Sequence, residues 1–373
     1  MTRKKVLVTG GAGFVGSHTA DALLQEGHCV RILDNLSEQV HSAGIPTYLA
    51  RDAEFMSGDV RDLERLCNAV RGVDVIYHFA AAVGVGQSMY QIAHYTAVNI
   101  QGTANLLQAI LDTNAQPEKI IVASSMSIYG EGKYRCDPCG EVAPGPRPAD
   151  QLKNKQWDTL CPNCGSRLAP VATDESKPLQ CTSIYALSKK DQEGMTLLFG
   201  RTYGIPVVAL RYFNIYGTRQ ALSNPYTGVA AIFASRLMNG NAPVVFEDGR
   251  QMRDFVSVHD IVQANMLALT NSKADGRALN VGSGRAVTIG EIAAELGKAL
   301  GVRMPMEITG KFRAGDVRHC FADISASQRF LGYRPRVTLK EGMRELAQWL
   351  QEQEAKDHVD EAMQRLAVHG LVA

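Results

Sequence analysis

The feature that most constrains this chain lies near its start. Val6-Leu-Val-Thr is a short β-branched run that leads into Gly10-Gly-Ala-Gly13-Phe14-Val15-Gly16, and Ala20, Leu23 and Leu24 then recur at helical spacing until Gly27. A strand, a glycine loop and a helix in that order put backbone N–H groups at a helix N-terminus, where a pyrophosphate can sit and the glycines let main chain approach it. A plain tight turn would use the same glycines. Their three-fold spacing between strand and helix points instead to a dinucleotide.

The second strand, Cys29 to Leu33, is closed by Asp34. A carboxylate there accepts from both ribose hydroxyls and repels a 2′-phosphate, which favours NAD over NADP. Gly58-Asp59-Val60 suits a loop beside an adenine. A third apolar strand, Val73 to Phe79, ends in His78-Phe-Ala80-Ala81, where small residues allow close approach to a cofactor and His78 reads as a satisfied core histidine. One long helix is expected from about His94 to Asn114, carrying Asn99 and Gly102. A strand from Ile120 to Ala123 then delivers Ser124-Ser125-Met126-Ser127. This alternation predicts a parallel sheet with ligands at its carboxyl ends.

Tyr185-Ala-Leu-Ser-Lys189 puts a phenol and an ammonium on one helix face. The cation is expected to lower the Tyr185 pKa towards neutrality, fitting the phenol for acid–base work. Spacing of this kind is common, and an amphipathic helix with a Tyr and a Lys would look the same. Joined to the glycine loop and to Ser125 at a strand end, it becomes one set.

That set resembles the extended short-chain dehydrogenase/reductases, in particular the NAD-dependent nucleotide-sugar epimerase/dehydratase family. The matching residues are Thr9 to Gly16, Asp34-Asn35, Ser125 with Tyr185 and Lys189, and Arg211-Tyr-Phe213-Asn214-Ile-Tyr-Gly217. The resemblance implies a Rossmann-type doubly wound parallel sheet, an α/β fold, with a smaller C-terminal α/β substrate lobe. It implies tightly bound NAD held by Gly10, Gly13, Phe14, Val15, Gly16, Asp34, Asn35, Asp59, Val60, Ala80, Ala81, Asn99 and Phe213. Ser125 would hydrogen-bond the reacting hydroxyl, Tyr185 would be the acid/base and Lys189 would hold the nicotinamide ribose. Asn214 would touch the sugar diphosphate, Asn224 and Val244 to Phe246 would flank the base, and Arg253 and Arg313 would clamp phosphate. Dehydratases of the family follow the Ser/Thr with Asp-Glu, which expels a hydroxyl; here Met126 and Ser127 stand there. Epimerisation is therefore expected over elimination. Ala81 to Tyr90, the Ser-Met-Ser-Ile-Tyr-Gly loop and the paired cysteines resemble the dTDP-L-rhamnose 4-epimerase subgroup. UDP-hexose or UDP-uronate 4-epimerisation is the alternative, followed by a 4,6-dehydratase or reductase and by a non-catalytic nucleotide-sugar or NAD sensor.

The expected division is 1–212 for the NAD-binding part, with 131–178 inserted, and 213–373 mainly for the nucleotide sugar. The insertion carries Cys136-Asp-Pro-Cys139-Gly and Cys161-Pro-Asn-Cys164-Gly, 21 residues apart. Two such turns can set four thiolates around one metal, so a structural zinc ribbon is expected, serving as a lid or wall near the substrate. Reduced surface cysteines or a disulfide would be the plain alternative. The charge balance, 39 basic against 38 acidic residues, offers nucleic acid no basic face. No run is apolar enough to span a bilayer. The first strand begins at Val6, which leaves no room for a signal peptide, so a cytoplasmic setting is expected, with a homodimer through the helices around 94–114 and 185–203. Thr288-Ile-Gly-Glu291 reads as a capping box, and the segment from Lys340 to about Ala367 as one helix.

Overall fold

The apolar runs form seven strands: β1 (Lys5–Thr9), β2 (Cys29–Asp34), β3 (Glu54–Ser57), β4 (Val75–His78), β5 (Lys119–Ser125), β6 (Val207–Tyr212) and β7 (Arg277–Val281). The computed structural model describes residues 2–373. The strands make one parallel sheet in the order β3-β2-β1-β4-β5-β6-β7. The order reverses beside β1, where open α/β sheets bind ligands. The expected Rossmann-type α/β sheet is thus present. Its last strand comes from residues far beyond the segment expected to build it.

Side chains of β1 alternate between faces, as a strand requires. Val6 and Val8 pack with Ile32, Tyr77, Ile121 and Leu210, under helices α1 (Phe14–Gln25) and α6 (Val258–Thr270). Leu7 packs on the other face with Leu33, Ile76 and Val122, under α2 (Leu63–Val70), α3 (Gly102–Asp112) and the end of α4 (Ile184–Tyr203). With both faces covered, these strands read as continuous apolar runs. A separate core joins α5 (Val229–Met238), α7 (Ile289–Leu300) and α8 (Leu339–Leu350) through Phe233, Leu237, Ile292, Leu296, Met343 and Leu346.

The Thr288 capping box is formed in both directions, and Thr338 with Glu341 makes a second one. Two expected helices are corrected. The segment after residue 340 is broken: α8 ends at Leu350 and α9 (Val359–Val368) follows a turn. The stretch 92–112 consists of a short α-turn (Ile92–Tyr95), a π-helical turn (Thr96–Gln101) and α3. Among the described residues, no helix is long and apolar enough to cross a membrane.

The insertion folds as a three-stranded antiparallel sheet, with Lys133–Cys136 between Gly140–Val142 and Ala169–Val171. Main-chain bonds fix it to the C-terminal half: Gly132 N–H to His319 O at 2.8 Å, Thr173 N–H to Phe321 O at 2.8 Å and Asp323 N–H to Thr173 O at 2.9 Å. These bonds tie the root of the insertion, where its first and last strands meet, to the C-terminal half.

Candidate active site

The carboxyl ends of β1 to β6 gather the residues singled out in the sequence. Gly10 turns the chain with φ +70°, and a Cβ there would lie 2.7 Å from Ala80 N, so the loop presses against the chain leaving β4 towards Ala81. A Cβ on Gly16 would lie 2.2 Å from Gly10 O, which is how α1 packs against the loop. Gly13 caps α1 without a side-chain partner, so the first-turn N–H groups of Phe14, Val15 and Gly16 have no side chain to receive them. Gly16→Val should cost about 3 kcal/mol or block folding, because the added atoms meet main chain that cannot yield; a thermal melt indistinguishable from wild type would contradict this packing.

Asp34 is buried at the end of β2, accepting from Ala12 N–H at 3.0 Å and Leu36 N–H at 2.9 Å. Asn35 donates to Asp59 at 2.8 Å, and hydrogen bonds from the Arg61 side chain hold Asp59 at about 2. Val60 packs beneath Gly102, where a Cβ would lie 2.6 Å away. His78 is fully buried between the hydroxyls of Thr9 (2.8 Å) and Thr103 (3.0 Å), as expected of a core histidine, and burial brings it down to about 3.

Asn99 sits in the π-turn with no exposure. Its side chain accepts from Ala82 N–H at 2.7 Å and donates to Ala82 O at 3.0 Å and to Ser188 Oγ at 2.9 Å. It therefore pins the chain after β4 to helix α4. A π-turn inside a helix often marks such a site, yet it keeps the apolar spacing of an α-helix closely enough to escape sequence reading.

Ser125 ends β5, and its Oγ accepts from Ser127 Oγ at 2.9 Å. Next to it, Ser124 donates to Glu193 at 2.6 Å, and Glu193 forms a buried two-pronged pair with Arg211 at 2.7 and 2.9 Å. Tyr185 and Lys189 lie one turn apart at the start of α4, whose cap Ser183 accepts from Ala186 N–H. Ser88 holds the Tyr185 main chain at 3.0 Å. The ammonium of Lys189 donates to Gln192, whose amide donates to Thr103 at 3.0 Å, and Thr103 also meets His78. Gln192, Glu193 and Thr103 carry no sequence signature of their own. Their place in the site comes from packing between α3 and α4.

The electrostatics correct one expectation. Burial pushes the Tyr185 phenol up, with Ser125 pulling it back, and Lys189 does not bring it towards neutrality. The ammonium is turned to Gln192, and burial brings it down to about 7 against the attraction of Glu193. Unfolded Lys titrates near 10.4. Between about 7 and that value the folded state binds fewer protons than the unfolded chain, so stability rises with pH across this window, by about 5 kcal/mol at full extent. Chemical denaturation from pH 7 to 10 should show this rise, and Lys189→Met should flatten it. Equal slopes in the two proteins would contradict it.

Directly after Ser125, Met126 joins Tyr129, Phe213, Cys320 and Ala322 in an apolar cluster. Asn214 presents a buried side-chain oxygen that no protein group meets. Arg253 and Arg313 converge on one carboxylate, Asp316, at 3.2 and 2.8 Å, and together they hold Asp316 at about 2 despite its burial. Arg253 also donates to the main-chain oxygens of Met252, Val317 and Arg318. The Arg313 guanidinium lies 4.6 Å above the Phe246 ring. Val244 pairs with Glu307 in a short strand, and Asn224 accepts from Gln39 at 3.0 Å.

The insertion brings together the sulfurs of Cys136, Cys139, Cys161 and Cys164, all within 4.8 Å of one another and none in a disulfide. Gly140 and Gly165, directly after the pairs, have φ of +78° and +74°, a conformation natural to glycine. Both Cys-x-x-Cys turns therefore face one point.

Residues 6–148 match the NAD dependent epimerase/dehydratase family, and residues 165–346 match the GDP-mannose 4,6 dehydratase family. The stretch between them lies within the insertion. A dTDP-L-rhamnose 4-epimerase of Burkholderia thailandensis is 34% identical over 93% of this chain and 95% of its own length. The chain belongs to the NAD-dependent epimerase/dehydratase family. Another relative in the family, a putative UDP-glucose 4-epimerase of Methanocaldococcus jannaschii, is 32% identical over 92% of this chain and 98% of its own. The solved UDP-glucose 4-epimerase of Thermus thermophilus in complex with NAD superposes with a TM-score of 0.74 at 29% identity, over 94% of this chain and all of that one. The protein is accordingly an NAD-dependent enzyme of the sugar-nucleotide epimerase type.

Proposed function

We propose that this enzyme is a nucleotide-sugar 4-epimerase acting on dTDP-L-rhamnose. The observation that carries the reading is the pairing of Tyr185 with Ser125 at the carboxyl end of the sheet, with Lys189 one helical turn on and Met126 and Ser127 where elimination needs a carboxylic acid. The residues fit NAD: the uncapped start of α1 offers N–H groups to a pyrophosphate, and Asp34 lies within reach of the same loop. NAD supplies the hydride acceptor and donor when bound. Tyr185 takes the proton from the sugar's 4-hydroxyl and returns it after the keto sugar has turned. Ser125 orients that hydroxyl. Lys189, steered by Gln192, holds the ribose. Asn99 keeps the chain at Ala82 in place for the cofactor, and Phe213 closes the pocket. Asn214, whose side-chain oxygen is free of protein partners, takes the sugar diphosphate with Arg253 and Arg313, and Asn224, Val244 and Phe246 flank the base.

We assign 1–212, with its insertion at 131–178, to NAD binding and 213–373 mainly to the nucleotide sugar. The four sulfurs suit a closed, structural zinc ribbon: zinc–sulfur bonds of about 2.3 Å put tetrahedral sulfurs roughly 3.8 Å apart, and Cys136 and Cys164 stand at 3.5 Å. Exposed Leu111, Leu187, Leu198 and Tyr203 on α3 and α4 support a homodimer through those helices. A reducing cytoplasm would keep the thiolates available. Similarity to UDP-glucose and UDP-glucuronate 4-epimerases favours a UDP-hexose or UDP-uronate as the second reading. Incubating the protein with dTDP-L-rhamnose, UDP-glucose and UDP-glucuronate separately, without reductant, decides among them by NMR. Conversion of the rhamnose nucleotide to a second 6-deoxyhexose is the expected result; conversion of a UDP-sugar alone would move the assignment.

A further inference from the structure

A buried charge cluster joins the cysteine lobe to the region assigned to the substrate diphosphate. Arg147, in the insertion, has its side chain 2% exposed, and its two terminal nitrogens meet the Glu247 carboxylate at 2.7 and 3.0 Å. Its Nε lies 3.4 Å from Glu131, and it donates to Asp316 O at 3.3 Å. Glu131 receives the Tyr134 hydroxyl at 2.8 Å. The Tyr134 ring packs in one small core with Cys136, Cys161 and Leu168. On the far side, Glu247 adopts a left-handed backbone (φ +54°), unusual for a side-chain-bearing residue. It follows Phe246, the ring beneath Arg313. Arg318, also 2% exposed, binds Glu247 at 2.9 Å and Asp248 at 2.6 Å.

We propose that Arg147 is a positioning residue for nucleotide binding: it transmits the folded state of the cysteine lobe, through Glu131 and Glu247, to Phe246, Arg313 and Asp316. This rests on the nucleotide-sugar reading given above. The two terminal nitrogens of Arg147 share the buried Glu247 carboxylate with Arg318, while Glu131, which also accepts from the main-chain N–H groups of Arg318 and His319, faces its Nε, so Arg147 is the side chain that ties the insertion to Glu247. Removing Arg147 leaves Glu247 with Arg318 as its remaining cation and takes two hydrogen bonds from a buried carboxylate, which is destabilising unless the turn that carries it shifts. Because Glu247 is held in a strained turn, that movement displaces Phe246 and loosens the Arg313 contact. Nothing in the pathway touches Ser125, Tyr185 or the glycine loop, so the chemical step and NAD retention stay as they are.

The test compares zinc-loaded wild type with Arg147→Met, which keeps most of the side-chain volume. Calorimetric titration with dTDP and with UDP should show at least a tenfold weaker Kd in the variant, with a matching rise in KM, while kcat changes less than threefold. Backbone hydrogen exchange should quicken at 244–248 and 312–318. Removing the metal should weaken dTDP binding in the wild type and add less than twofold in the variant. Tyr134→Phe, a milder change should Arg147→Met fail to fold, should weaken binding at least threefold. Unchanged Kd and unchanged exchange at those segments would overturn the proposal, as would equal metal dependence in the two proteins. If wild type binds neither nucleotide, the nucleotide-sugar reading fails, and the exchange comparison, which needs no ligand, still decides the role of Arg147.

Discussion

Tyr185→Phe should lower kcat by about a thousandfold, within the range that a positioned acid/base contributes, and leave bound NAD and folding intact. The change removes one hydroxyl. That hydroxyl faces Ser125 and supports no part of the fold, since the hydrogen bond that anchors the residue runs from its main chain to Ser88. Stability should therefore shift by about 1 kcal/mol or less. The phenol begins from a pKa raised by burial, so the protein alone does not make it a ready base. A cofactor's positive ring nearby would favour the phenolate by ordinary charge attraction. Steady-state kinetics, nucleotide released on denaturation and a thermal melt check the three parts of the prediction. A variant that keeps more than a tenth of wild-type kcat would remove Tyr185 from the proton transfer.

Cys161→Ser should have the second large effect. Cys161 and Cys136 are buried with Tyr134 and Leu168 in a core too small to stand alone. Metal binding in such a lobe is folding free energy, on the order of 10 kcal/mol for structural zinc. Elemental analysis should fall from about one zinc per chain to almost none. Hydrogen exchange across 133–171 should become fast while β1 to β5 stay protected, because the sheet has its own cores. Full protection of 133–171 in a zinc-free variant would mean that the lobe folds without metal.

The parts of this molecule that could be read in advance are those whose cause is local. The glycine loop needs its residues for backbone reasons, and Asp34 closes a strand one turn of the sheet away. Helix α4 runs from its Ser183 cap to Gly204, a left-handed glycine that the sequence displays openly. The Thr288–Glu291 box depends on residues three apart. The cysteine turns repeat one short pattern, and their four sulfurs do meet. What could not be read depends on distant partners. Arg147 and Glu247 stand 100 residues apart, and Arg318 reaches Glu247 across 71, so no periodicity announces either pair. The relay from Lys189 to Gln192, Thr103 and His78 exists only because α3 and α4 pack together. The raised Tyr185 pKa follows from burial, and spacing along a helix carries no information about burial. The two broken helices failed for a related reason: the π-turn at 96–101 and the turn after Leu350 leave the apolar spacing almost unchanged.

In the proposed epimerisation, bound NAD would take the C4 hydrogen of the sugar as hydride and supply it to the same carbon on the other face, with Tyr185 moving only the hydroxyl proton. Conversion of dTDP-L-rhamnose in deuterium oxide, followed by proton NMR, tests it most directly. A new 6-deoxyhexose that retains its C4 hydrogen at full intensity is expected, since bound NAD would carry that hydrogen without exchange with solvent. A product carrying deuterium at C4 would show that the carbon had been deprotonated, and would contradict the mechanism.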